Sequence, residues 1–299
     1  MDQRTLHVIN FRYHLVSIAA ILIALAAGIA LGSGPLEDDD DTQAASQTTS
    51  RSDDPGVRSF ETGFAARTAP GMLKDTLKDR PVVVLTVPGT NASEVKDVVK
   101  GLGLAGAEVT GQVALTSKML DSSGRQFAEG VAQQAAEGVD GVTDAGDSYG
   151  RIGSALARAL MASEPGTLDE TATTIRSAFT EGDLITETRA PKRAATLAVL
   201  VTGPQRATGA AQSTVIAALA AAINPTGQGV VVAGPASSST DGGAVKAVRE
   251  GAAASEISTV DVTDTAAGRV VTVLAAAEQA SGQPGAWGTS RSDSGALPK

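Results

Sequence analysis

The sequence predicts an α/β protein: a transmembrane helix near the N-terminus, then a mostly parallel, Rossmann-like sheet with helices on both faces. Three observations carry this. An uncharged apolar run occupies residues 15–31. Valine-rich segments at 82–85 and 230–232 read as strands buried on both faces. Segments with helical apolar spacing separate them, the alternation that builds a parallel sheet.

The apolar run extends from Leu15 to Leu31, with Ser17 its only polar side chain. Seventeen residues is about the lower limit for crossing a ~30 Å hydrocarbon core. Tyr13, His14 and the small residues up to Gly34 lengthen it, so the span is taken as 15–34. A secretory signal has a core of only about 7 to 15 apolar residues. A retained anchor is therefore expected, with cleavage at Ala30-Leu31-Gly32 as the alternative. Arg4 and Arg12 precede the span, while Glu37 and Asp38 to Asp41 follow it. Basic flanks stay inside, so residues 1–14 are expected in the cytoplasm. The body then lies beyond the cytoplasmic membrane, in the periplasm or cell-wall space. Ala20, Ala24, Gly28 and Gly32 recur every four residues and line one helix face. Small residues at this spacing let helix backbones approach closely, a candidate packing face for a homodimer or a membrane partner. The alanine richness of the whole chain is the competing explanation.

Residues 35–58 are acidic and polar and read as a flexible linker. Residues 59–281 form the expected extracytoplasmic α/β domain, and 282–299 a flexible tail. Within the domain, Phe60, Phe64, Leu73 and Leu77 suit a short helix pair broken at Pro70-Gly71. A buried strand follows at 81–89. Val95, Val98, Val99 and Leu102 mark an amphipathic helix with Ser93 as a plausible N-cap. A strand at 107–115 completes a βαβ unit. Between 117 and 190 only helical spacing is legible: Phe127 and Val131, then Ile152, Leu156 and Leu160, then Ile175 with Phe179. A second α/β half starts at Ala194. Its strands are 195–204, 229–235 and 256–262, with helices at 210–223 and around Val245 and Val248. Residues 266–280 close it as a helix, although Val270, Val271 and Val273 leave strand as an alternative.

Parallel sheets bind ligands beyond the carboxyl ends of their strands. Three strands here end at Pro88-Gly89, Gly203-Pro204 and Gly234-Pro235, so these six residues are the candidate ligand edge. The plainer reading is that they only turn the chain tightly. Ser237, Ser238, Ser239 and Asp241 could hold an anion at a helix start, or be a solvated loop. Asp261 and Asp264 could hold a hard cation; helix capping by Asp264 or Thr265 is the competing role.

Composition excludes more than it nominates. The net charge of −9 disfavours nucleic acid. There is no cysteine, and both histidines, His7 and His14, precede the span. The body therefore has no disulfide, thiolate, Ser-His-Asp triad or histidine-based metal site. Dinucleotide, P-loop and GxSxG signatures are missing. No enzymatic activity, catalytic residue or cofactor is expected. Met72, Met119 and Met161 are scattered and read as ordinary core residues.

The segment "FRYHLVSIAAILIALAAGIALGSGPL" resembles the start of the actinobacterial MctB family, the copper transport protein B group. "RPVVVLTVPGTNASEV" at 80–95, "GVVVAGP" at 229–235 and "DTAAGRVVTVLAAAEQASGQPGAWG" at 264–288 fit the same family. The resemblance implies an envelope protein linked to copper export or homeostasis. SteB-like relatives imply instead a non-enzymatic role in cell separation, with a membrane or envelope protein partner and control of a wall hydrolase. Family members usually carry a coiled coil between span and body, whereas residues 42–58 lack its apolar repeat.

Overall fold

The computed structural model describes residues 54–142, 146–289 and 291–298. The span at 15–34, with Ala20, Ala24, Gly28 and Gly32, and most of the 35–58 linker lie outside the described residues. Among the described residues no helix is long and apolar enough to cross a membrane. The body, Arg58–Lys299, is a unit separate from Met1–Val57.

Seven strands form one sheet in the order β3-β2-β1-β4-β5-β6-β7. They are β1 (Pro81–Thr86), β2 (Glu108–Leu115), β3 (Ile185–Arg189), β4 (Leu197–Val201), β5 (Val230–Ala233), β6 (Ser258–Val260) and β7 (Ala286–Trp287). All neighbours are parallel except β2 and β3. The nine α-helices among the described residues are α1 (Pro55–Leu73), α2 (Ala92–Leu104), α3 (Ser117–Leu120), α4 (Arg125–Ala135), α5 (Ser148–Leu160), α6 (Glu170–Glu181), α7 (Gln205–Ile223), α8 (Ala244–Arg249) and α9 (Ala266–Ala280).

The valine runs are strands because both of their faces are covered. Val83 and Leu85 of β1, Ala198 and Leu200 of β4, and Val230 and Val232 of β5 point into a core built with helices α3 to α8. Their alternates, Val82, Val84, Leu197, Val199, Val201 and Val231, join α2 and α9 on the other face. Such period-two division leaves no polar alternation to read. The α/β expectation therefore holds, with α2 and α7 on opposite faces. The β1–α2–β2 and β4–α7–β5 units leave the β1/β4 boundary in opposite directions, which makes that boundary the switch point of the sheet.

Several expectations are corrected. The helix pair at 59–78 is one helix, α1, which starts inside the expected linker and carries Pro70 in its last turn. There the proline costs a single intrahelical bond near the end, so it need not break the helix. Ala65, Ala69 and Leu73 face the body, while Phe60 and Phe64 are 74% and 59% exposed. Second, the stretch 117–190 includes strand β3, which pairs antiparallel as the sheet edge. Its side chains are mostly exposed behind a buried Ile185, so it carries no apolar signal. Third, the tail from Gly282 contributes β7, with Trp287 only 6% exposed. Fourth, α4 buries Ala128 and Ala132, leaving Phe127 exposed beneath the Lys118 ammonium, 4.1 Å from its ring centre.

Other helices match. Ile152, Leu156 and Leu160 of α5, and Ile175 and Phe179 of α6, are fully buried or nearly so. Residues 266–280 are helical, with Val271 and Val273 in the core. Asn91, not Ser93, caps α2; its side-chain oxygen accepts from the Ser93 amide at 2.9 Å.

Candidate functional site

The three strand-end loops meet, as their position at the ends of adjacent parallel strands requires. At the switch point, the Thr90 hydroxyl donates to the carbonyls of Val87 (2.7 Å) and Val201 (3.0 Å), tying the β1 loop to β4. Gly203 lies so close to this loop that a Cβ there would stand 2.6 Å from the Gly89 carbonyl oxygen. Pro204 opens α7, and Ala207 closes over Gly89. The Thr202 amide donates to Ala233 (2.8 Å), the Gly234 amide to Val260 (2.9 Å) and the Thr263 amide back to Gly234 (3.0 Å). Pro235 then caps the 3₁₀ turn Ala236–Ser239. Thus the loops carrying Pro88-Gly89, Gly203-Pro204 and Gly234-Pro235 are brought together, with Gly203, Gly234 and Pro235 buried and Gly89 left exposed.

The serine run does not form an anion cradle. Ser238 and Ser239 are buried and donate to the carbonyls of Pro235 (2.6 Å) and Ala236 (3.0 Å). Asp241 pairs with Lys246, whose hydrogen bond and charge hold the carboxyl below its ordinary range. The two aspartates after β6 also part company. Asp264 accepts from the Ala236 amide at 3.2 Å, while Thr265 caps α9 by accepting from the Gly268 amide at 2.9 Å. Among the described residues, no group of three or more His, Cys, Asp or Glu is placed to hold a metal.

Asp261 is the centre of a different arrangement. It is fully buried, and its carboxylate accepts from the Thr289 amide (2.8 Å), the Thr289 hydroxyl (2.7 Å), the Ser292 hydroxyl (3.2 Å) and Arg249 (3.2 Å). Burial opposes its charge. Hydrogen bonds from Ser239 and Thr289 and the Arg249 charge outweigh that, so its pKa falls below the ordinary aspartate value. Arg249 also donates to Thr259 (2.9 Å), Ser292 (3.1 Å) and the Trp287 carbonyl (3.3 Å). Arg291 reaches the Ser239 hydroxyl and the Ala236 carbonyl, both at 2.9 Å. Together these bonds fasten the C-terminal segment across the ends of β5 and β6.

Beside them, Glu94 in the first turn of α2 accepts from the Thr263 hydroxyl at 2.8 Å. Burial raises its pKa, and nearby Asp264 adds to the effect against the lowering by Thr263 and Arg269. Sequence reasoning missed Arg249, Arg291, Thr289, Ser292 and Glu94 as edge residues. One signal was available: a chain with a single tryptophan rarely leaves it in a loose tail.

Two clefts lie between helices instead of at the strand ends. One of about 720 Å³ separates α5, α7 and α8 and is lined chiefly by Gly and Ala, with Ser213, Thr214 and Lys246. Another of about 280 Å³ lies under α1, against α2 and α9, with Lys100 and Arg269 among its lining. The edge is therefore built to fasten strands together, and it presents no nucleophile–base pair.

The family model described as "Copper transport outer membrane protein, MctB" matches residues 8–298. Proteins named "Copper transporter MctB" from Mycobacterium tuberculosis (strain ATCC 25618 / H37Rv) and Mycobacterium bovis are 31% identical to this chain over 290 residues. The aligned stretch covers 89% of this chain and 91% of theirs. A protein of the same name from Mycobacterium leprae is 30% identical over 294 residues, with the same coverage of 89% and 91%.

Proposed function

The chain belongs to the MctB family, and from that premise we propose that it is a membrane-anchored envelope protein with an indirect role in copper homeostasis. One observation carries the word indirect. Copper is held by Cys, His and Met side chains, and this body has no cysteine and no histidine. Of its methionines, Met119 and Met161 are buried in the core and Met72 lies exposed on α1. A relay of copper through such a body has no succession of ligands to follow.

The sheet supports the same reading. A transmembrane barrel is antiparallel and faces lipid on one side, whereas this sheet is mostly parallel and covered by helices on both faces. Membrane attachment is then assigned to residues 15–34, with the body on the outer side of the cytoplasmic membrane. The body acts by holding another envelope protein, not by catalysis.

The test is a Cu(I) titration of the full-length His7→Ala/His14→Ala protein in nanodiscs against a competing chelator. No stoichiometric site tighter than micromolar is expected; a tight one overturns the indirect role. A deletion strain is expected to accumulate copper and divide normally. Chained cells at ordinary copper would favour the wall-remodelling, scaffold role instead.

A further inference from the structure

Helix α1 buries only Ala65, Ala69 and Leu73, and its Glu61 carboxylate accepts from the Ala267 amide of α9 at 3.1 Å. Two of those three side chains are single methyl groups, too short to fill the space beneath the helix. The cleft of about 280 Å³ against α2 and α9 is what they leave. Such a gap forgoes the dispersion contacts that a close-packed interior makes. Its wall is apolar along Leu73, Leu104 of α2 and Val270 of α9. Its charged lining residues are Lys100, Arg269 and Asp97. Arg269 engages Asp97 through Nε (3.2 Å) and donates from Nη1 to the Thr263 carbonyl (2.9 Å). Among the described residues, neither its Nη2 nor the Lys100 ammonium has a protein partner. Two cations against one carboxylate make the lining net positive by one, in a chain of net charge −9.

We infer that this cleft binds a free medium-chain carboxylate, its chain along Leu73, Leu104 and Val270 and its head group at Lys100 and Arg269. Chain length follows from volume. At about 30 Å³ for each water-sized group, the cleft takes roughly nine carbons. The paired long chains of a membrane lipid exceed that space. The sign of the head group follows from Lys100 and Arg269, whose free N–H groups suit a carboxylate better than a neutral hydroxyl. The bound chain touches α1, α2 and α9 together. It therefore fastens α1 to the body by filling the gap that Ala65 and Ala69 leave, and binding stabilises the docked helix.

The test labels the full-length protein, in phosphatidylcholine nanodiscs, with a decanoate analogue carrying a diazirine near its chain end. Labelled peptides are mapped by mass spectrometry. Label is expected on α1 and α2 around Ala69 and Leu104, and excess decanoate should displace it. Lys100→Glu should raise the concentration for half-maximal labelling about ten-fold. Lys96→Glu, at an exposed position of α2 outside the cleft, should leave it unchanged. Ala66→Trp places an indole at an exposed lining position and should abolish the label, with unchanged far-UV circular dichroism. A folded Ala66→Trp protein that labels like the wild type overturns the inference. If that variant does not fold, the two lysine variants decide, and an equal effect of both overturns it. So does competition by neutral decanol as strong as that by decanoate, or label spread evenly over the body. Loss of label on adding phosphatidylglycerol to the disc, without displacement by decanoate, would make membrane lipid the occupant and refute the free acid.

Discussion

Asp261→Asn isolates the fastening of the C-terminal segment. The substitution keeps the shape and removes the charge. One oxygen remains to accept from the Thr289 amide and the Ser292 hydroxyl, now at 2.8 and 3.2 Å. The new amide group cannot accept from the Thr289 hydroxyl or from Arg249, which lose acceptors now at 2.7 and 3.2 Å. Arg249, its side chain only 14% exposed, is left without its buried counter-charge. Breaking a buried pair in this way costs about 3–5 kcal/mol. Arg249 keeps its bonds to Thr259, Ser292 and the Trp287 carbonyl, so the lower end, about 3 kcal/mol, is expected. The only tryptophan in the chain lies in the fastened segment. Its emission should shift to longer wavelength in urea before circular dichroism reports loss of helix. A cost below about 1 kcal/mol, or a tryptophan transition that coincides with global unfolding as in the wild type, would refute the argument. Replacing both Asp261 and Arg249 by apolar residues should cost less than the sum of the single changes.

The carboxyls at this edge respond to pH with opposite signs. Asp261 has a depressed folded pKa, so its stabilisation is complete above the ordinary aspartate value of 3.8 and is lost as pH falls through its lower folded value. Asp261→Asn should therefore flatten acid unfolding below about pH 4. Glu94 has a raised folded pKa, so the stability it contributes is complete below its ordinary value of 4.5 and is lost as pH rises through the folded one. Glu94→Gln is expected to equal or exceed wild-type Tm at pH 7 and to lose that advantage near pH 4 in differential scanning fluorimetry. Gly203→Ala would press a methyl group to 2.6 Å from the Gly89 oxygen, with an expected cost of about 1–3 kcal/mol in urea denaturation. Asn91→Ala removes the cap of α2 and should cost about 1 kcal/mol by the same measurement.

Where the chain packs locally, its sequence is a sufficient guide. Val82 to Leu85 and Val230 to Val232 announce strands buried on both faces, and Ile152, Leu156 and Leu160 announce a helix, because burial on a regular element imposes its period on the side chains. Strand β3 escaped notice because an edge strand with one buried residue, Ile185, needs little apolar character to pair with β2. The spacing of Phe60 and Phe64 predicts helix, and helix forms, but it does not say which face packs. The body selected Ala65, Ala69 and Leu73 instead, since packing rewards fit as well as apolar area.

By itself, then, the sequence determined the α/β class, the meeting of the strand-end loops and the donor chemistry closed to the body, since Cys and His are either encoded or missing. Only the tertiary structure decided what occupies the strand ends. Asp261 and Arg249 lie 12 positions apart, and Ser292 a further 31 beyond Asp261. No local pattern predicts such a triad, because its members are selected by a shared buried charge that exists only after the sheet has closed.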